Sequence, residues 1–175
     1  GVYAASAITA ITVQNTKGVY GIQNVEPEIV KGQIEAVMED IHPDAIKIGM
    51  VNDCDTIRAI AETLKKYQES FQHLVIDPVM VSTSGCRLMQ EDALDVFIKG
   101  GHFDGEEKID YLFEDGKQKT SYRGISVNTR NTHGTGCTLS SAITSYLARE
   151  MDMNTAIAMA KTYLSGAILA GKDVQ

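Results

Sequence analysis

The feature that most constrains this chain is an alternation. Short runs of β-branched and small apolar residues are each followed by a longer stretch with helical periodicity. Residues 4–14 read Ala-Ala-Ser-Ala-Ile-Thr-Ala-Ile-Thr-Val-Gln, which suits a strand buried on both faces. Pro27 fits the first turn of a helix, where its missing N–H costs little. From there Ile29, Val30, Ile34, Val37, Met38 and Ile41 make one apolar stripe. Ala45-Ile46-Lys47-Ile48-Gly49-Met50 reads as the next strand. Asn52 or Asp53 caps a second helix, with Ile57, Ile60, Ala61, Leu64 and Tyr67 on one face. Leu74-Val75-Ile76-Asp77-Pro78 is a third strand, ending on a carboxylate and a proline. This β-α-β-α-β order indicates a parallel sheet with right-handed crossovers.

The second half begins with a loop of small polar residues, Ser82-Thr83-Ser84-Gly85. Residues 91–97 look like the start of a helix, and Ile98-Lys99-Gly100-Gly101-His102 like the end of a strand. The apolar stretch Val96-Phe97-Ile98 is too short to be both a helix end and a whole buried strand. Residues 109–113, a turn at Asp115-Gly116 and residues 117–122 predict a β-hairpin. Two helices close the chain. One carries Leu139, Ala142, Ile143, Tyr146 and Leu147 on a face, the other Ile157, Ala160, Leu164 and Ile168.

The 175 residues make one domain, large enough to bury a core. A net charge of −7 without Lys/Arg runs argues against nucleic acid as a partner. It does not exclude phosphate, because local amides and cations set the local field. No apolar run is long enough to span a bilayer, so no membrane partner is expected. Cys54, Cys86 and Cys137 are odd in number and scattered, which suits reduced thiols and a cytoplasmic protein. No Cys/His pair has zinc-ligand spacing; His133 and Cys137 alone are too few ligands.

The chemistry concentrates in Asn131-Thr132-His133-Gly134-Thr135-Gly136-Cys137-Thr138-Leu139. Two glycines flank a threonine, a cysteine follows, and an apolar-periodic helix starts at once. The turn and the first helical amides should point at one spot, and with the positive dipole end they make an anion site. The same pattern also suits a Gly-rich helix cap with a buried cysteine. Cys137 would sit where the dipole favours negative charge. It could take a proton from a substrate hydroxyl or attack a carbonyl. Gln14, at a strand end, has an amide that both donates and accepts, as a heteroaromatic ring edge requires. Asp77 could hold Mg²⁺, directly or through water, or position an attacking hydroxyl; it could equally be a turn-forming Asp. Lys99, in Lys-Gly-Gly, could reach a nucleotide phosphate or be a solvated lysine. Met50 is placed to line a pocket.

Taken together and in order, several segments resemble a known family. They are Thr9-Ala10-Ile11-Thr12-Val13-Gln14-Asn15-Thr16, Ile48-Gly49-Met50, Asp77-Pro78-Val79-Met80-Val81-Ser82, Ser84-Gly85, Lys99-Gly100-Gly101-His102 and residues 131–139. Each is weak alone, but the ordered set spans nearly the whole chain. The family is the hydroxymethylpyrimidine/phosphomethylpyrimidine kinases of thiamine biosynthesis, within the ribokinase-like superfamily. The resemblance implies a three-layer α/β/α sandwich with a mostly parallel central sheet and a small β-hairpin near the nucleotide side. It implies ATP and Mg²⁺ as cofactors, a small aminopyrimidine alcohol and its phosphate as substrates, and homo-oligomerisation.

By the same resemblance, Gln14, Met50 and Val79 bind the ring, and Asp77 belongs to the Mg²⁺ and phosphate network. Lys99, Thr132, Gly134 and Gly136 serve the nucleotide. Gly134, Thr135 and Gly136 form the anion hole, and Cys137 is the base, where most of the superfamily has Asp. The chain departs from the family at several places. The resemblance implies a strand and a Gly-rich segment ahead of Gly1, and a continuation beyond Gln175. It also implies a strand and a helix before Lys99, yet Phe97 runs straight into Ile98. The expectation is one kinase domain over residues 1–175 that lacks an N-terminal segment, a segment near 97/98 and the C-terminal end. Thr83 stands where a lysine is usual before Ser84-Gly85. Three other readings stand beside it. They are a pyridoxal kinase of the same superfamily, a thiol hydrolase using Cys137 with His133 as base, and a non-catalytic pyrimidine- or nucleotide-binding module.

Overall fold

The computed structural model describes residues 1–15, 18–51, 53–77, 95–98, 107–114, 117–125, 127, 129 and 134–171, with the side chains of 95–98, 107, 108, 114 and 125 excepted. Its elements are β1 (Ala10–Asn15), β2 (Gly18–Asn24), α1 (Pro27–Asp40), β3 (Ala45–Ile48), α2 (Cys54–Lys66), β4 (His73–Ile76), β5 (Asp95–Ile98), β6 (Glu107–Glu114), β7 (Lys117–Ile125), α3 (Thr135–Leu147) and α4 (Met153–Gly171).

β3 and β4 pair in parallel, from Ala45 opposite His73 to Ile48 opposite Ile76, with α2 as the crossover. This is the β-α-β unit that the alternation predicts. Ile46 and Ile48 pack with Val30, Val51, Ile60 and Leu64, joining α1 and α2 to one face of the pair. Val75 packs instead against Leu112, Leu139, Ile143, Leu147, Ala156, Ile157 and Ala160, the core formed by α3, α4 and β6. α3 also packs against both strands, so the parallel pair has helices on both faces.

The other described strand pairs are antiparallel, against the expectation of a mostly parallel sheet: β1 with β2, and β5-β6-β7 in order. In β1–β2 the reason is chain length. Only residues 16 and 17 separate the strands, and a parallel partner needs a crossover of a dozen residues or more. Residues 4–9 carry no strand, so β1 is also shorter than expected. Nor is it buried on both faces. Ile11 and Val13 are 61% and 65% exposed, because β1 and β2 pack on each other and on no other element among the described residues. The helix expected to run to Phe97 is replaced, over Asp95–Ile98, by a strand paired with β6. Val, Phe and Ile in succession favour an extended strand once a neighbouring edge is available. The predicted hairpin is present and longer, as β6 and β7.

The helix ends follow capping chemistry. Asp53 caps α2, accepting from Thr56 N at 2.8 Å and Thr56 Oγ1 at 3.0 Å. Asp152 does the same ahead of α4, accepting from Thr155 N and Oγ1 at 3.1 and 2.6 Å. The Thr155 hydroxyl, with its N–H, holds the Asp152 carboxyl below its ordinary range. Cys54 is disulfide-bonded, which corrects the expectation that its thiol is free. No described helix is long and apolar enough to cross a membrane.

α4 is locked to the hairpin by a buried ion pair. Lys161 Nζ lies 2.5 Å from Asp110 Oδ2 and donates to the Tyr122 carbonyl at 2.9 Å. The two side chains are 14% and 8% exposed. Removing one partner of such a pair leaves a charge buried without its counterpart, at about 3–5 kcal/mol. Lys161→Ala is therefore expected to lower the urea-unfolding free energy by about that amount. Asp110→Asn/Lys161→Met should lose much less. A single-variant loss below about 1 kcal/mol would show that the pair is solvated rather than buried.

Candidate functional site

The carboxyl ends of β3 and β4 lie side by side, because the strands are parallel and in register. Asp77 is one residue past β4. Its N–H donates to the Ile48 carbonyl at 2.8 Å, extending the ladder by one bond and setting Asp77 beside the Ile48-Gly49-Met50 end. Asp77 is only 5% exposed.

The amino end of α3 meets this edge. Gly134 is its N-cap, with φ 79° and ψ −2°, a left-handed conformation that glycine adopts without steric penalty. The intrahelical ladder starts with Thr138 N donating to Gly134 O at 2.9 Å. Helix geometry gives the preceding amides no intrahelical acceptor, and they carry the positive end of the dipole. Gly134 has no side chain to cap them, and the first turn holds no acidic residue. Cys137 lies in this turn as a free, exposed thiol, so it is not the buried cysteine of the plain-cap reading.

One side chain joins the two parts. Ser140 Oγ donates to Asp77 Oδ2 at 2.8 Å, between residues 63 positions apart. Ser140 is 4% exposed. The same hydroxyl lies 3.2 and 3.1 Å from the carbonyls of Gly136 and Cys137, so Asp77 stands next to the first turns of the helix that Gly134 opens.

Met50 adjoins the same strand end. Its carbonyl accepts from Thr9 Oγ1 at 2.8 Å, which fixes the base of the β1–β2 ribbon there. Gln33 of α1 holds the same base: its Oε1 accepts from Ile8 N at 2.8 Å and its Nε2 donates to Ile8 O at 3.1 Å. Met50 borders a cavity of about 880 Å³, and Cys137 borders one of about 540 Å³; Ser141 and Ser145 line both. Gln14 stands farther out on the exposed ribbon, at a register shift between Val13 and Gln14. No hydrogen bond among the described residues ties it to the α3 end. Val79, Lys99, Thr132 and His133 lie outside the described residues.

Sequence reasoning missed Ser140, Thr9 and Gln33. A signal for Ser140 existed. It lies one turn beyond Cys137 and next to Leu139 on the stripe of apolar residues, where a hydroxyl needs a partner. The contacts of Thr9 and Gln33 are long-range and leave no local pattern. Among the described residues no group of three or more His, Cys, Asp or Glu is arranged to hold a metal.

The profile of the phosphomethylpyrimidine kinase family matches residues 1–97 and 93–175. The chain is 37% identical to the hydroxymethylpyrimidine/phosphomethylpyrimidine kinase of Rhizobium meliloti (strain 1021). That alignment covers 100% of this chain and 83% of the relative. It runs over 224 positions, against 175 residues in this chain. The crystal structure of phosphomethylpyrimidine kinase from Clostridium difficile 630 superposes with a TM-score of 0.74 at 36% identity, covering 96% of this chain and 87% of that one. An ADP complex of Bacillus subtilis pyridoxal kinase gives a TM-score of 0.81 at 24% identity, covering 95% and 81%; this likeness speaks to the fold alone.

Gly134 offers a direct test of the turn. A Cβ built there meets nothing within 4 Å, so substitution is opposed by conformation and not by crowding. Gly134→Ala is expected to cost about 1–2 kcal/mol in urea unfolding, and Gly134→Asn less. An unchanged midpoint for Gly134→Ala would mean that the left-handed conformation is not kept in solution.

Proposed function

The chain belongs to the phosphomethylpyrimidine kinase family, and from that membership we propose that it is an ATP-dependent kinase of thiamine biosynthesis. It transfers the γ-phosphoryl group to the hydroxyl of 4-amino-5-hydroxymethyl-2-methylpyrimidine and then phosphorylates the monophosphate. The observation that carries this reading is the Ser140–Asp77 hydrogen bond, because it ties a buried carboxylate to the first turns of α3, a helix whose N-cap is a glycine and whose first turn holds no acid.

Phosphoryl transfer needs little covalent help from the protein. It needs the reactants positioned and the charge on the transferring group neutralised. The amides at the start of α3 and the helix dipole are suited to that charge. Cys137, exposed in the same turn, is the proposed base for the substrate hydroxyl. Asp77 offers a hard oxygen donor, which fits Mg²⁺; that ion takes one or two carboxylates and completes its shell with phosphates and water. When bound, Mg²⁺ would supply charge neutralisation at the phosphates. Gln14, Met50 and Val79 are assigned to the pyrimidine, and Lys99, Thr132, Gly134 and Gly136 to the nucleotide. Thr9 and Gln33 support the ring side by holding the ribbon base to Met50 and α1.

The proposed architecture is a single kinase domain over residues 1–175, a three-layer α/β/α sandwich whose mostly parallel sheet includes β3 and β4. The two family-profile matches meet at residues 93–97, and the relative's alignment is longer than this chain. Both support the reading that a strand and a helix of the family have no counterpart near 97/98. A cytoplasmic homo-oligomer, without nucleic acid or membrane partners, completes the proposal.

The test is ATP turnover by the full-length protein, with the pyrimidine alcohol, its monophosphate and pyridoxal compared, and products identified by mass. Both pyrimidines should be phosphorylated. Phosphorylation of pyridoxal alone would replace the substrate assignment; ATP untouched with all three would overturn the kinase reading. Cys137→Ala should lower kcat by about 100-fold or more, as loss of a general base does, and Cys137→Asp should retain more activity than Cys137→Ala.

A further inference from the structure

Ser140 has a stronger hold on the site than helix packing requires. It sits beside Leu139 on the buried side of α3, with Ile143 one turn on, where alanine would pack as well. Its hydroxyl has one proton and three acceptors in reach. They are Asp77 Oδ2 at 2.8 Å, Cys137 O at 3.1 Å and Gly136 O at 3.2 Å. A serine inside a helix ordinarily returns its proton to a carbonyl three or four residues back. Here a carboxylate is nearer, and a bond to a charged acceptor is about twice as strong as one to a neutral carbonyl. The proton goes to Asp77, and the two carbonyls remain as alternative acceptors within the helix.

We propose that Ser140 is a positioning residue for phosphoryl transfer. It fixes the Asp77 carboxylate relative to the turn formed by Gly134 to Cys137. The inference rests on the kinase reading and adds to it a residue that need not touch either substrate. Asp77 reaches the site from β4, and the turn reaches it from α3. Ser140 bonds Asp77 from α3, one helical turn after Cys137. Loss of its hydroxyl leaves both groups in place and frees their separation, which belongs to the reacting geometry and not to ground-state binding. Misplacement by about 1 Å is enough to slow such reactions by about 10²-fold.

The experiment compares Ser140→Ala, Ser140→Thr and Ser140→Val in the full-length protein, with and without Asp77→Asn. Ser140→Ala should lower kcat by about tenfold to a hundredfold, the worth of one hydrogen bond to a charged group, with KM for ATP and the pyrimidine within about twofold. Ser140→Thr and Ser140→Val have nearly the same shape, so their difference isolates the hydroxyl. Thr should keep most turnover and Val should lose it, with similar unfolding midpoints. With Asp77→Asn present, Ser140→Ala should change kcat by less than about twofold, because coupled residues are not additive. Equal kcat for Thr and Val, an effect confined to KM, or an unchanged penalty beside Asp77→Asn would overturn the inference alone. Wild-type protein that leaves ATP untouched would overturn the kinase reading and the inference with it.

Discussion

The hydrogen bond from Ser140 to Asp77 is the contact on which the candidate site depends. Asp77 is carried by the parallel ladder, through its N–H to Ile48 O, and Ser140 by a helix packed on the same strands. Burying a carboxylate is unfavourable unless polar partners receive it. The serine hydroxyl is such a partner. It therefore serves the stability of the strand end and the geometry of the helix start through one bond. The arrangement also explains why the site forms at this edge. Parallel strands end together, and the crossover through α2 brings the β3 end beside Asp77.

The β1–β2 ribbon, proposed to serve the pyrimidine ring, is held by a different kind of constraint. The β1–β2 ribbon carries Gln14 but rests on no other described element. Its position is set at the base, where Thr9 bonds the Met50 carbonyl, Val25 N bonds Thr9 O, and Gln33 makes a two-point amide contact with Ile8. The placement of Gln14 is thus inherited from Met50, from α1 and from the cap of α2, where Asn24 Nδ2 donates to Asp53 Oδ2 at 3.1 Å. A change at Gln33 acts on the ribbon through its two hydrogen bonds to the backbone of Ile8.

What was legible in the sequence was local. The stripes of α1, α2, α3 and α4 repeat every three to four residues, and each helix appears where its stripe runs. The strands Ala45–Ile48 and His73–Ile76 overlap the apolar runs read at 45–50 and 74–78, and the helix between them forced a parallel pairing. The errors were non-local. Residues 4–14 show β-branched character, but that does not say which strand will be the neighbour, and the two-residue connection to β2 decided for an antiparallel ribbon. Asp95–Ile98 has the same ambiguity, resolved by the edge of β6. Cys54 looked like an isolated thiol because a disulfide partner is set by folding and not by spacing. In the site, the Gly134 to Cys137 turn was readable from composition. The bond that ties it to Asp77 spans 63 positions and was not.

The choice of cap explains why this helix end, and not the others, suits an anion. α2 begins at Asp53 and α4 follows Asp152; each of those carboxylates accepts a backbone N–H of its own first turn. A ligand arriving there would meet amides already engaged and a negative charge beside them. α1 opens with Pro27, which removes one of its amides altogether. α3 opens with Gly134, which brings no acceptor and no charge, and its first turn contains no acid. At an N-cap, glycine gives up only a few tenths of a kcal/mol against serine or aspartate, so a cap without a side chain is held at little cost in stability. In the proposed function the charge of a transferring phosphoryl group is met there by backbone and dipole. On that proposal the side chain at residue 137 has a smaller task, the removal of one proton from the substrate hydroxyl, which a thiolate or a carboxylate, each with one negative charge, can perform.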